Sequence, residues 1–268
     1  MIKTISIIGA GNLAQCLIER IVACKQNYKI LVYDIDKKKN KYSSKKNIKF
    51  FTNINQKISE SQIILLAIKP NDMKFISDDI VKYGDKRSML ISLIAGTRLN
   101  MINKVFKKSF SIARIMTNIN SQFGNAQSFI FAGTNFSQNK LKSLEYFFKL
   151  FGTTTIVKRE SQIDKITALC GSGPAYFIYF TEIIKDTFKK FGFKENEAEQ
   201  LSKHLFYSTS YTCFYKKDSM KDIKKMIVSK KGTTEAALNM MTKKNIKKII
   251  MDSINQAYEK SIEIGKNK

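Results

Sequence analysis

Along the first part of the chain, short apolar runs alternate with stretches whose apolar residues recur at helical spacing. Thr4-Ile5-Ser6-Ile7-Ile8 predicts a strand that stops at Gly9, and residues 13–24 predict a helix. A second strand is predicted at 29–33, ending at Asp34. Residues 63–68 and 89–94 are nearly continuous apolar runs, the first followed by Lys69-Pro70 and the second by Ala95-Gly96. Such runs suit parallel strands buried on both faces. Later strands are predicted at 111–115, 128–131 and 154–157. Strands alternating with helices make βαβ units and a parallel, doubly wound sheet.

Past residue 160 the strand pattern stops. Residues 163–191 predict a long helical stretch interrupted by Gly171-Ser172-Gly173-Pro174, with Pro174 suited to open a helix after the glycines. Residues 195–215 and 245–264 predict two more long helices. Between them lie a helix-like segment and the turn Ser229-Lys230-Lys231-Gly232-Thr233-Thr234. The expected architecture is therefore an N-terminal α/β Rossmann-type domain, residues 1–158, followed by an all-α C-terminal domain, residues 159–268.

The first strand and helix are joined by Gly9-Ala10-Gly11-Asn12-Leu13-Ala14, which reads G-x-G-x-x-A. At that place the chemistry is specific. Gly9 allows the tight turn, Gly11 lets backbone approach a pyrophosphate, Ala14 keeps helix and sheet close, and the helix N-terminus offers free N–H groups. Asp34, at the end of the second strand, suits the ribose hydroxyls of NAD. The lysines that follow, Lys37, Lys38 and Lys39, suit the 2′-phosphate of NADP instead, and the residues leave that choice open.

The formal charge of +25 raises nucleic acid as a partner. The basic residues are almost all lysine, however, with arginine only at 20, 87, 98, 114 and 159, and they are spread along the whole chain beside asparagine and isoleucine. Arginine is the residue for base edges and bidentate phosphate contacts, so this charge reads as solvated lysine faces, and no nucleic-acid partner is expected. Cys16, Cys24, Cys170 and Cys213 are scattered without a C-x-x-C pair, and His204 is the one histidine, in a helical pattern, so no metal site is expected. No apolar run approaches the roughly 18 residues that cross a bilayer. The opening segment lacks the features of a secretory leader, so a cytoplasmic protein with no membrane partner is expected.

Taken in order, the motifs resemble those of the pyrroline-5-carboxylate reductases over essentially the whole chain. Ile8-Gly9-Ala10-Gly11-Asn12-Leu13-Ala14 is shared with many dehydrogenases. Ala67-Ile68-Lys69-Pro70 is similar to the family's A-V-K-P, residues 92–96 to S-x-A-A-G, and Arg114-Ile115-Met116-Thr117-Asn118 to R-x-M-P-N. Gly171-Ser172-Gly173-Pro174-Ala175-Tyr176 matches G-S-G-P-A-Y outright, and residues 229–234 resemble S-P-G-G-T-T. The resemblance implies reduction of the C=N bond of 1-pyrroline-5-carboxylate to L-proline by NADPH, with NADH as the alternative. It implies a homodimer formed through the helical domain, and larger rings of such dimers. By matching positions, Thr234 would bond the ring nitrogen, Ser229, Gly232 and Thr233 would hold the substrate carboxylate, and Glu160 and Thr167 would lie near cofactor and substrate. Lys69, Ala95, Gly96 and Asn118 would line the cofactor, beside the residues of the Ile8–Leu13 turn, Asp34 and the 67–70 segment.

Four positions depart from the family pattern. Lys230 and Lys231 stand where the substrate loop has proline and glycine, Thr117 replaces the proline of R-x-M-P-N, and Lys225 stands where an acid is usual. If position 231 needs a positive φ, lysine is strained there. The alternatives are a related imine reductase, a β-hydroxyacid-type reductase using a catalytic lysine such as Lys165, and a non-catalytic nucleotide-sensing or nucleic-acid-binding protein on the same fold.

Overall fold

The computed structural model describes residues 2–42 and 44–266; Met1 and residues 267–268, the ends of the two expected domains, lie outside the described residues with Ser43. The chain divides into two units. The first runs to Ser172 and takes in the chain again from Ala257; the second is Gly173–Gln256.

The first unit contains β1 (Thr4–Ile8), α1 (Asn12–Ala23), β2 (Lys29–Tyr33), β3 (Ile48–Phe51), β4 (Ile63–Leu66), α2 (Met73–Tyr83), β5 (Met89–Ser92), α3 (Leu99–Val105), β6 (Ser111–Met116), β7 (Ala126–Ala132), α4 (Gln138–Phe148), β8 (Gly152–Ile156) and α5 (Ser161–Ile166). The strands form one eight-stranded sheet in the order β3-β2-β1-β4-β5-β6-β7-β8. Order reverses beside β1, as in a doubly wound sheet. Strands β1 to β6 are mutually parallel, as their apolar runs predict. The β6–β7 pair is antiparallel, with β8 parallel to β7, so the far edge departs from the all-parallel expectation. The reason lies in the connection 117–125, which holds a single 3₁₀ turn, Ile119–Phe123, and is too short for a crossover helix. Strand β3 is an addition to the strands the sequence predicts; Ile48-Lys49-Phe50-Phe51 is short, flanked by polar residues, and pairs only with β2.

Alternation along the strands builds two core layers. Ile5, Ile7, Ile63, Leu65 and Ile91 face Ala14, Leu17, Ile18 and Ile21 of α1 and Leu144, Phe147 and Phe148 of α4. Ile8, Leu31, Ile64, Leu66 and Leu90 face Met73 and Ile80 of α2 and Leu99 and Ile102 of α3. Each large apolar side chain among them contributes about 1.5–3 kcal/mol by leaving water. The i, i+3, i+4, i+7 spacing of Ala14, Leu17, Ile18 and Ile21 is why α1 forms and why it lies flat on the sheet.

The second unit holds α6 (Gly173–Lys190), α7 (Glu195–Tyr215), α8 (Met220–Ile227), α9 (Thr233–Lys243) and the start of α10 (Ile246–Lys266), whose last turns belong to the sheet unit. The predicted interruption before α6 takes the form of a π-turn, Thr167–Gly171, in which Ser172 N–H bonds the Thr167 carbonyl at 3.0 Å. Among the described residues, Ala198 and Ile223 are the only buried apolar side chains between Gly173 and Gln256.

Candidate active site

The turn from β1 into α1 is held from two sides. Gly9 has φ +94°, and a Cβ there would lie 2.5 Å from the Ala67 carbonyl oxygen, so only glycine lets β1 and the end of β4 approach this closely. Gly9 N–H bonds the Tyr33 carbonyl at 2.8 Å, and Ala67 N–H bonds the Ile8 carbonyl at 2.8 Å. A Cβ on Gly11 would meet nothing within 4 Å, so open space lies against its backbone. Gly11 is the N-cap of α1 and no side chain caps the helix. Open space, exposed backbone and an uncapped helix start fit a pyrophosphate, whose charge the helix dipole favours.

Asp34 reaches back beneath this turn. Its Oδ2 accepts the Ala10 N–H at 2.8 Å and the Lys39 ammonium at 3.0 Å, and its Oδ1 accepts the Asp36 N–H at 2.9 Å. The side chain is 7% exposed. Burial alone would raise its carboxyl, but the two N–H donors and Lys39 outweigh that and hold it below the ordinary aspartate value. Lys37–Lys39 forms a 3₁₀ turn capped by Asp36, whose carboxylate accepts the Lys38 N–H.

The neighbouring strand ends carry the remaining positions of the sheet unit. After Ala67 and Ile68, Lys69 is exposed and Pro70 opens a 3₁₀ turn into α2. Ala95 is half-buried, and Gly96, at φ +72°, packs so closely on α10 that a Cβ would lie 2.7 Å from Ile264. Asn118 accepts the Asn120 N–H with its Oδ1 and donates from Nδ2 to the Cys170 carbonyl at 2.9 Å, tying the end of β6 to the π-turn. Thr167 donates its hydroxyl to the Ile163 carbonyl at 2.8 Å. The hydroxyls of Thr117 and Ser128 share a buried bond of 3.0 Å, a use for the residue that replaces proline.

Arg114 does more than its place in the R-x-M-P-N-like motif indicates. Its guanidinium is 1% exposed and pairs with Glu160 at 2.7 Å and Asp164 at 3.1 Å. Glu160 also accepts the Leu99 N–H at 2.7 Å, so one carboxylate joins β6, the start of α3 and α5. An arginine inside the apolar strand Ser-Ile-Ala-Arg-Ile-Met is the sequence signal for this pairing, because a buried charge requires a partner. Lys165, the lysine a β-hydroxyacid mechanism needs, is exposed beside the buried Asp164.

Ser229, Gly232, Thr233 and Thr234 lie together in the helical unit. Gly232 caps α9, with no side chain bonding the first turn, and its N–H bonds the Ser229 carbonyl at 3.0 Å. A Cβ on Gly232 would clash with Ser229 Oγ, so glycine is required for the serine to fold against the turn. Lys231 has φ +57°, the conformation that glycine adopts at least cost, and its N–H bonds Glu235 Oε2 at 2.7 Å. The strain expected of a lysine at this position is therefore present.

Among the described residues no group of three or more His, Cys, Asp and Glu side chains is placed to hold a metal ion, and no helix is long and apolar enough to cross a membrane.

Comparison with known proteins agrees from three directions. Residues 160–264 match the family model described as pyrroline-5-carboxylate reductase dimerisation, and residues 4–96 match that of NADP oxidoreductases, coenzyme F420-dependent. The chain is 28% identical over 263 residues to a pyrroline-5-carboxylate reductase of Staphylococcus haemolyticus, covering 97% of each. It is 26% identical over 261 residues to one of Staphylococcus aureus, covering 96% of each. Its fold matches the solved pyrroline-5-carboxylate reductase of Coxiella burnetii with a TM-score of 0.85 at 24% identity, and the NADP-bound pyrroline carboxylate reductase of Plasmodium falciparum with 0.88 at 22%, each covering 98% of both chains. The helical part of the chain thus carries the pyrroline-5-carboxylate reductase dimerisation region, and the full-length relatives that the chain resembles are of that one kind.

Proposed function

We propose that this protein reduces 1-pyrroline-5-carboxylate to L-proline with NADPH or NADH. The observation that carries the reading is the presence, in one chain, of both the Gly9–Gly11 turn open to a pyrophosphate and the uncapped, Ser229-braced start of α9. Residues 1–158 hold the dinucleotide, through Ile8, Gly9, Ala10, Gly11, Asn12 and Leu13, with Asp34, Ala67, Ile68, Lys69, Pro70, Ala95, Gly96, Asn118 and Glu160 around it. Residues 159–268 hold substrate and form the dimer, a division supported by the dimerisation match beginning at residue 160.

When bound, the dinucleotide supplies a hydride. The chain's own part is positioning. Backbone N–H groups at the start of α9 and the hydroxyls of Ser229 and Thr233 hold the substrate carboxylate. Thr234 bonds the ring nitrogen, fixing the C=N carbon for attack, and Thr167 is the candidate that the sheet unit contributes. A protonated imine is already electrophilic, so orientation and electrostatics supply most of the rate and no catalytic histidine or cysteine is needed. Lys230 and Lys231 add positive charge beside the carboxylate.

The helical unit supports the homodimer on physical grounds. Phe177, Tyr179, Phe214, Tyr215, Met220 and Met251 are each at least 59% exposed, and Ala198 and Ile223 alone are buried there among the described apolar residues. A unit with so little core of its own and so much apolar surface is completed by a second copy. Rings of such dimers and a cytoplasmic location complete the proposal.

A panel of 1-pyrroline-5-carboxylate, other cyclic imines and β-hydroxyacids, each with NADPH and NADH, tests the reading. Oxidation of coenzyme with 1-pyrroline-5-carboxylate well above the others is expected; activity confined to a β-hydroxyacid, or to none, overturns it.

A further inference from the structure

Gly96 and Gly265 meet main chain to main chain. Gly96 sits in the loop between β5 and α3 at φ +72°, and a Cβ there would lie 2.7 Å from Ile264 Cγ2 and 2.9 Å from the Ser261 carbonyl oxygen. A Cβ on Gly265, in the last turn of α10, would lie 2.5 Å from the Gly96 carbonyl oxygen. Each glycine therefore makes room for the other's backbone. Both belong to the sheet unit, which takes in the chain again from Ala257. Thr97 and Ser261, the flanking residues, are buried, and the hydroxyl of each has no hydrogen-bond partner among the described residues. Burying such hydroxyls costs free energy that close packing must offset.

The loop has few other restraints. Its start is tied where Leu93 N–H bonds the Leu66 carbonyl at 3.0 Å, and its end where Leu99 N–H bonds Glu160 Oε1 at 2.7 Å. Between these points, among the described residues, no backbone N–H of residues 95–98 bonds a backbone carbonyl. Ala95 packs on the cluster of Met116, Val157 and Ile163, and Gly96 packs on α10. Packing rather than a hydrogen-bond ladder sets where the loop lies.

Its place in the sheet gives the loop a task. With Asp34 at the end of β2 and the pyrophosphate turn at the end of β1, a dinucleotide laid across the carboxyl ends of the strands puts its second nucleoside over β4 and β5. Ala95 and Gly96 follow β5 at that edge.

We infer that the last turn of α10, through Ile264 and Gly265, is a positioning element for the 95–98 loop and thereby for the reacting ring of the coenzyme. The inference rests on the reductase reading above and goes beyond it, since it gives a stretch assigned there to substrate and dimer a part in hydride transfer. Ile264 and Gly265 act through Gly96 and not on the reacting atoms.

Gly265→Ala tests it. Loop and helix must part by about 1 Å to reach the 3.4 Å of ordinary contact, and a misplacement of that size in a reacting geometry costs on the order of a hundred-fold in rate when none of it is absorbed. In stopped-flow single turnovers with 1-pyrroline-5-carboxylate at saturating NADPH, where lost affinity does not enter, hydride transfer in Gly265→Ala is expected to slow at least five-fold. Gly84→Ala is the control for a clash of similar size elsewhere: its Cβ would lie 2.6 Å from the Ile80 carbonyl oxygen at the end of α2, and it is expected to lose stability and keep the wild-type transfer rate. Ile264→Ala removes the wall instead of pushing it, is expected to slow transfer as well, and decides the matter if Gly265→Ala does not fold. A fall under five-fold in Gly265→Ala, an equal fall in Gly84→Ala, or a wild-type rate in Ile264→Ala overturns the inference. If the wild type itself transfers no hydride, the proposed reaction fails, and the fluorescence of bound NADPH, which reports the surroundings of its nicotinamide ring, decides the inference: a changed emission in Gly265→Ala supports it and an emission identical to wild type overturns it.

Discussion

Replacing Arg114 by methionine tests how the sheet unit holds α5 and the residues that follow it. Methionine keeps the apolar stem of the side chain and removes the charge. The guanidinium is 1% exposed and makes two charge-assisted bonds, 2.7 Å to Glu160 and 3.1 Å to Asp164. Such bonds contribute about 1.5–3 kcal/mol each, and breaking a buried pair by removing one partner costs about 3–5 kcal/mol because the other charge is stranded. Two features soften the loss. Arg98 stands 3.9 Å from Asp164 and retains a weak pairing, and Glu160, 24% exposed, regains some water. A net destabilisation of about 3 kcal/mol is expected, a large share of the roughly 5–15 kcal/mol that holds a typical domain. Urea denaturation at neutral pH, followed by far-UV circular dichroism, measures it as a lower midpoint. Adding Asp164→Leu to Arg114→Met removes the stranded carboxylate, so the double variant is expected to be more stable than Arg114→Met alone. A loss under about 1 kcal/mol in the single variant, or no recovery in the double, would refute the claim that the triad is an obligatory buried pairing.

Gly9→Ala places a methyl 2.5 Å from the Ala67 carbonyl at φ +94°, so it is expected to lower stability by at least about 1–3 kcal/mol and weaken NADPH binding; fluorescence titration of NADPH reading the wild-type affinity would contradict this. Lys231→Gly releases about 1–2 kcal/mol of left-handed strain and costs about 0.4–1 kcal/mol in unfolded-chain entropy, so a gain of about 0.5–1 kcal/mol in thermal or urea unfolding is expected, and a loss would contradict it. Asp34 is held below its ordinary value in the folded protein, so its stabilisation is present above the unfolded aspartate pKa and lost as pH falls through the folded one. The stability difference between wild type and Asp34→Asn is therefore expected to be largest at neutral pH and to vanish in acid; a difference that grows on acidification would show the sign is wrong.

Much of the sheet was legible because its signals are local. Thr4–Ile8 and Lys29–Tyr33 are bounded by a glycine and an acid, and the structure starts and stops them at those places. Strand β3 was not legible, since Ile48-Lys49-Phe50-Phe51 pairs on one side only and needs little apolar alternation. Reversal of β7 was not written in its own residues either; it follows from the length of a connection. At the site, the glycine turn and the Gly-Thr-Thr turn were legible as motifs, whereas the partners that define their neighbours come from far along the chain. Asp34 bonding Ala10, and Arg114 joining Glu160 and Asp164, are contacts between residues 24, 46 and 50 positions apart. Periodicity and spacing carry no record of such pairings. The strain at Lys231 was legible from one substitution, because a position that takes glycine at a positive φ announces itself when another residue stands there.

The claim on which the account rests is that this chain delivers a hydride to the C=N carbon of 1-pyrroline-5-carboxylate. Incubating the purified protein with the substrate and NADPH deuterated at the transferable position of the nicotinamide, then analysing the product by mass spectrometry and NMR, tests it most directly. L-Proline bearing one deuterium on the ring carbon that had carried the double bond is the predicted result. Recovery of unreduced substrate with undiminished coenzyme would contradict the account.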